Sequence, residues 1–219
     1  MITIEIPART LLAMAELAAQ KDSRYYLQGV LVDIPAAGEC RLVATDGYAM
    51  GITRLDTVAA GAAVPQQFIL PRDLVRKFKP KDGALTVRIE DDDPNGRTHA
   101  RPVSITAEAS GLTASGSTID GIFPDYRRVI PHEPTGEAAQ LNVGCLVAFA
   151  KALSMLSGCA LKSAQMRVGI RHNGSGGALV SFAGHDDFVG VLMPLRIDAT
   201  LTEPPAWVLP CPAHVAAAA

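Results

Sequence analysis

Apolar and polar residues alternate over residues 2–6, where Ile2, Ile4 and Ile6 share one face, the period of a half-buried strand. From residue 7 to residue 20 the pattern changes to a helical one, in a stretch rich in Ala, Leu and Met. Strand-like runs return at residues 26–34, 40–46 and 49–55, parted by turns that contain Gly and Asp. The same order then restarts. Residues 67–70 read as a short strand, and Pro71 stands where its fixed φ suits the first turn of a helix. The pattern predicts that helix over residues 71–79, before Pro80 and Asp82-Gly83, followed by strands at 84–90, 102–109 and 112–118. A third round follows a loop at 120–136. It has a strand at 139–143, a helix at 146–156 with Leu146, Phe149, Ala150 and Leu153 on one face, and strands at 165–171, 178–182 and 188–195. Strand, helix and three strands thus occur three times, an α+β pattern with an internal repeat. A fourth round is hinted at by Trp207-Val-Leu-Pro210, which is similar to Phe68-Ile-Leu-Pro71.

Composition narrows the chemistry. The chain has 219 residues, enough for one large domain or two small ones, and is 48% hydrophobic and 19% charged, as folded soluble domains are. A formal charge of −2 does not mark a nucleic-acid binder as a whole, although a local basic face can coexist with an acidic exterior. Cys40, Cys145, Cys159 and Cys211 form no CxxC pair and read as small buried hydrophobes in a reducing compartment. His99, His132, His172, His185 and His214 show no paired ligand spacing, so no metal is expected. The acidic run at 90–93 precedes Pro94-Asn95-Gly96 and reads as a solvated hairpin loop. Gly174-Ser-Gly-Gly177 connects two strands and opens no helix, which is not the setting of a phosphate loop. No residue set supports catalysis, so no catalytic residue and no cofactor are expected. No apolar run approaches the roughly 18 residues of a membrane span, and Met1 leads into a strand with no signal-peptide pattern, so the expected location is cytoplasmic.

The expected helix at 71–79 carries the main cluster of cations. Leu74, Val75 and Phe78 share one face, and Arg72, Arg76 and Lys79 fall on the other at i, i+4 and i+7, with Lys77 and Lys81 nearby. Such a row suits a phosphate backbone, bound without base readout, and equally suits a solvated amphipathic face.

Three segments carry a family resemblance: Lys21-Asp-Ser-Arg-Tyr-Tyr-Leu-Gln-Gly29, Leu42-Val-Ala-Thr-Asp-Gly-Tyr48 and Asp120-Gly-Ile-Phe-Pro-Asp-Tyr-Arg-Arg-Val-Ile-Pro131. In order and spacing, with residues 68–73 between them, they resemble the central domain of the bacterial sliding clamp, the beta subunit of the replicative polymerase. Val191-Leu-Met-Pro-Leu-Arg-Ile197 resembles the C-terminus of that family.

The resemblance implies a DNA-clamp fold of about one and a half clamp domains. A complete domain would span residues 1–121, a connector 122–136, a half domain 137–200 and a Pro/Ala-rich tail 201–219. It further implies a processivity or tethering factor without catalysis, with sequence-independent duplex DNA as one partner. Other partners would be polymerase, clamp-loader or repair proteins that carry a clamp-binding peptide. Arg24, Tyr25 and Tyr26 match inner-rim residues that touch DNA, and Arg72, Arg76 and Lys79 become DNA-facing; Tyr26 also fits a strand core. Leu27, Thr45, Gly47, Tyr48, Ala49, Met50, Pro124, Arg128, Val129, Met193, Pro194, Leu195 and Arg196 match the partner-peptide pocket. Met50 and Met193 also fit strand core, and Phe123-Pro124 a buried loop anchor. Family rings hold twelve units and this chain shows three, so a homo-oligomer is expected, a dimer or a ring-closing tetramer. The alternative is a clamp-fold decoy that binds clamp partners without encircling DNA.

Overall fold

The structure, a computed structural model, describes residues 1–36, 38–56, 60–61, 65–90 and 100–195. The first unit runs β1 (Ile2–Pro7), α1 (Ala8–Leu17), a single 3-10 turn (Tyr25–Leu27), β2 (Gly29–Ile34), β3 (Cys40–Thr45) and β4 (Ala49–Leu55). The second runs β5 (Gln66–Pro71), α2 (Arg72–Val75), a 3-10 turn (Pro80–Asp82), β6 (Ala84–Ile89), β7 (Pro102–Ala107) and β8 (Thr113–Ser117). The third has α3 (Val143–Ser157), β9 (Val168–Arg171), β10 (Ala178–Phe182) and β11 (His185–Leu192).

Two expected elements differ. The helix at 71–79 closes after one turn: Lys77 and Phe78 N–H groups bond three residues back, and Lys79 is extended at φ −128°. The following Pro80 disfavours helical backbone at Lys79, which breaks the i, i+4, i+7 row of cations. Residues 139–142 belong to no strand among the described residues, and Leu195 N–H donates to the Gln140 carbonyl at 2.9 Å.

The first two units exchange their opening strands. One sheet has the order β1-β6-β7-β8, and the other β5-β2-β3-β4-β11-β10-β9. β1 pairs with β6 from Ile2↔Ile89 to Pro7↔Ala84, and β5 reciprocates on β2 from Gly29↔Pro71 to Ile34↔Gln66. The third unit joins through β11, which adds to β4 from Phe188↔Thr53 to Leu192↔Ala49.

Period-2 alternation sorts the residues of the seven-stranded sheet onto two buried faces. Val30, Val32, Leu42, Ala44, Leu70, Val180 and Phe188 share a core with α1 and α3, whereas Leu31, Val43, Met50, Ile69 and Val191 form a second core on the outer face. The four-stranded sheet buries one face alone, with Ile4, Val87 and Ile105 inward and Glu5, Arg88 and Thr106 toward solvent. At the β4–β11 seam, Gly51 faces Gly190 in register. A Cβ on Gly51 would stand 2.4 Å from Leu17 Cδ1 of α1, and one on Gly190 would stand 2.6 Å from Phe149 Cε1 of α3. The bare backbone is therefore what seats both helices on the sheet. Phe149 meets Phe182 and Phe188 edge-on at 6.2 and 6.4 Å, and those two rings stack at 4.2 Å. The Asn142 side chain caps α3 by accepting from Gly144 N–H, and Gly158, at φ +67°, ends it.

Cys40 and Cys145 are buried, and burial pushes the Cys40 thiol up to about 11; Cys211 lies outside the described residues. No helix among the described residues is long and apolar enough to cross a membrane.

Gly190→Ala forces a methyl group against Phe149 and Val180, and is expected to lower stability by about 1–3 kcal/mol, the usual cost of overpacking. Urea unfolding measures it; an unchanged midpoint would mean that the seam does not need glycine.

Candidate functional site

The outer face of the seven-stranded sheet is covered by the connector. Phe123 and Tyr126 are buried in the outer core beside Leu27, Leu31, Val43 and Met50. Beneath them lies Asp33, 2% exposed. Tyr126 Oη donates to Asp33 Oδ2 at 2.6 Å, Arg127 Nη2 donates to the same oxygen at 2.8 Å, and Gln67 Nε2 donates to Oδ1 at 2.9 Å. A buried carboxylate without such donors would cost several kcal/mol, roughly, so this cluster locks the connector to β2. Burial, and then the bond to Asp33, raise the Tyr126 phenol above its ordinary value. The Arg127 guanidinium also lies 4.5 Å over the Tyr126 ring. With Phe123 and Tyr126 pointing in, Pro124, Arg128 and Val129 of the same segment are left exposed.

A built turn stands at the start of β4. Thr45 Oγ1 donates to the Ala49 carbonyl at 2.8 Å and accepts from Gly47 N–H at 3.0 Å. Asp46 Oδ1 accepts from Tyr48 N–H at 2.8 Å and Ala49 N–H at 2.7 Å. Gly47 has φ +93°, a region that favours glycine, and a Cβ there would stand 2.7 Å from Arg24 Nη2. Arg24 is held over this turn by both oxygens of Asp22, at 3.0 and 2.7 Å, and by the Asp46 carbonyl at 3.3 Å. The same bonds from Arg24 hold the Asp22 carboxyl down to about 2.

The turn is laced to the end of β11, because Met193 N–H donates to the Tyr48 carbonyl at 2.8 Å. Gly177 lies below: from the position of its missing Cβ, Val191 Cγ1 is 2.8 Å away, Met193 Sδ 3.4 Å and the Val129 carbonyl 3.5 Å. The fold thus gathers the 45–49 turn, Val129 and the run from Met193 along one seam. Tyr48, Val129, Met193 and Leu195 there are 63%, 47%, 38% and 38% exposed, a grouping of large apolar side chains that a partner could cover.

Not every expected pocket residue reaches that surface. Leu27 and Met50 are buried in the outer core, so they form the floor. Ala49 belongs to the core on the opposite, helix-bearing face. Pro194 is half-buried, and Arg196 lies outside the described residues. Asp33 and Gly177 are the positions that sequence reasoning missed; a lone acid inside the apolar β2 was the one signal for the first.

The expected DNA-facing residues divide. Arg72 Nε donates to the Ala15 carbonyl at 2.9 Å, and its half-burial, with Arg76 beside it, lowers its guanidinium pKa. Arg76 pairs with Glu16 of α1. Lys79 is exposed, Tyr25 is 54% exposed, and Tyr26 packs edge-on to Tyr25 at 5.8 Å, half-buried against the outer core. Tyr25 and Arg72 both line, with Gln28, Asp73 and Ile119, a cleft of about 250 Å³.

Tyr126→Phe removes one donor from the buried Asp33, and is expected to cost about 1–3 kcal/mol in urea unfolding. Hydrogen exchange should also quicken over residues 123–130. Unchanged stability and exchange would mean that the connector is held by apolar contact alone.

No family model matches the chain. The beta sliding clamp of Pseudomonas aeruginosa is 35% identical over 131 residues, which is 56% of this chain and 30% of the relative. That of Escherichia coli K12 is 32% identical over 132 residues, 58% of this chain and 31% of the relative. The stretch aligned in sequence spans about a third of the length of the curated relatives it matches. Among solved structures, the DNA polymerase sliding clamp from P. aeruginosa with ligand superposes at a TM-score of 0.64 and 20% identity, covering 90% of this chain and 66% of that one. The DNA polymerase III subunit beta from the same organism gives 0.64 and 20%, over 89% and 66%. The repeated α+β pattern is thus the clamp fold, and this chain is similar to the bacterial sliding clamps, in sequence over more than half of its length and in fold over about nine tenths of it.

Proposed function

We propose that this chain is a clamp-like processivity or tethering factor, which holds polymerase or repair proteins on duplex DNA through a peptide site at the β4–β11 seam. The observation that carries the reading is the grouping of Tyr48, Val129, Met193 and Leu195 around a hydrogen-bonded turn. Exposed apolar side chains over a rigid floor suit the anchor residues of a short linear peptide. Methionine adapts its shape to different anchors, and the exposed Arg128 adds a cation at the rim. Similarity to proteins named for clamping a DNA polymerase supports the same role. Sequence-independent DNA contact would come from Tyr25, Lys79 and the exposed Lys77 and Lys81.

A second reading, a clamp-fold decoy that keeps the peptide site and encircles no DNA, is favoured by one observation. Arg72 and Arg76 are already engaged by Ala15 and Glu16, which weakens the cation row.

Fluorescence anisotropy with a labelled clamp-binding peptide tests the site, and Met193→Asp is expected to weaken binding at least tenfold, about 1.4 kcal/mol, with an unchanged unfolding midpoint. Equal binding by wild type and variant would overturn the peptide reading. Retention on nicked circular DNA that is lost on linearisation supports the tether; peptide binding without retention supports the decoy.

A further inference from the structure

Beyond Val129 the chain runs on to a clasp formed with the turn between β9 and β10. Gly136 N–H donates to the His172 carbonyl at 2.9 Å, Gly174 N–H donates to the Glu137 carbonyl at 2.9 Å, and Thr135 N–H donates to Asn173 Oδ1 at 3.1 Å. A further bond joins the same two segments through a titratable group. Ala139 N–H donates to Nδ1 of His172, a half-buried side chain, at 3.4 Å.

The clasp supports the seam. Leu195 N–H donates to the carbonyl of Gln140, the residue after Ala139, at 2.9 Å. Asn173 Nδ2 donates to the Gly177 carbonyl at 3.4 Å, and it is around the missing Cβ of Gly177 that Val191, Met193 and the Val129 carbonyl close. Val129, Met193 and Leu195, three of the four exposed apolar residues grouped at the seam, therefore rest on segments that meet at His172 and Asn173.

An imidazole nitrogen accepts a hydrogen bond only while it carries no proton. With Nδ1 as the acceptor, the clasp closes on neutral His172; an imidazolium would set one donor against another at Ala139. Imidazole is also the side chain that ordinarily changes charge between about pH 5 and 8. On the segments that meet here, the other titratable and charged groups are His132, Glu133 and Glu137 of the chain leading to Ala139, and Arg171 beside His172 on β9. Residues 143–150, 173–180 and 188–195 bring none.

We propose that His172 is a positioning residue for the peptide site and makes that site sensitive to pH. Neutral, it closes the clasp and holds Met193 and Leu195 in the arrangement that receives the peptide. Protonated, it releases Ala139 and loosens the run that Gln140 holds. The closed clasp binds the neutral form alone, so peptide affinity is full above the imidazole titration and falls as the pH drops through it. The three other bonds between the segments do not involve the ring, so the fall is a partial one. The inference rests on the peptide reading of the seam.

The test is peptide anisotropy at about pH 7.5 and about pH 5.5, with a labelled clamp-binding peptide that carries no histidine. Wild type, His172→Asn and His172→Leu are compared, each with its unfolding midpoint. Asparagine offers Oδ1 in place of Nδ1 and does not titrate, while leucine offers no acceptor; both leave every other charge in place. Wild-type affinity is expected to fall about threefold or more at the lower pH, the scale of one net hydrogen bond. The asparagine variant should stay tight at both values, and the leucine variant weak at both. A wild type indifferent to pH, or an asparagine variant that weakens as wild type does, would overturn the proposal. Amide spectra of the free chain keep the two readings apart. Ala139 and Leu195 should titrate together in wild type and stand still in His172→Asn. A chain that binds no peptide at the higher pH fails the peptide reading; the clasp itself fails only if those amides ignore pH or shift equally in the asparagine variant.

Discussion

A carboxylate buried in a sheet must be met by donors, and two of the three that meet Asp33 arrive from the connector, the third being Gln67 of β5. Tyr126 and Arg127 bond the same oxygen of a side chain that is 2% exposed, so the chain between the two domain-like parts has one place to lie. Everything proposed for the outer face follows from that placement. With Phe123 and Tyr126 driven inward, Val129 stands beside Met193 and the 45–49 turn, and a flat sheet gains a rimmed, apolar surface. The same segment is one of those that carry the resemblance to sliding clamps, and its chemistry is that of an anchor rather than a reactive group.

The second constraint is the seam. β4 and β11 come from units far apart in the chain, yet Gly51 and Gly190 face each other and let Leu17 and Phe149 descend onto the backbone. One continuous core therefore runs under both α1 and α3, and the peptide site proposed for the opposite face would straddle the junction. At that junction β4 and β11 are paired in register within the sheet, a rigid support for the turn before β4 and the run after β11.

Much of this fold was legible in the chain. Ile2, Ile4 and Ile6 alternate because one face of β1 is buried and the other wet, and the period of α3 is plain because Phe149 and Leu153 face a core. The length of α2 was overread, since spacing alone ignores what Pro80 does to Lys79. Asp33 could not be assigned a role, because its partner Tyr126 is 93 residues away and no local pattern announces the pair. The resemblance supplied the pocket residues, but Ala49 and Met50 are neighbours in one strand and cannot share a face, so Ala49 lies in the inner core and Met50 in the outer one. The strand exchange and the β4–β11 pairing are long-range choices among similar apolar strands, which periodicity does not rank.

The methionines offer a direct reading of the central claim, that the outer face at the seam is the peptide site. Met193 is exposed at the seam and Met50 lies in the floor, whereas Met14 is buried among the inner residues and Met155 sits on α3. Methyl spectra of the chain, recorded while a clamp-binding peptide is added, should show Met193 shifting most, Met50 following, and Met14 and Met155 holding still. Binding that leaves Met193 unmoved, or that shifts Met14 and Met155 instead, would contradict the account.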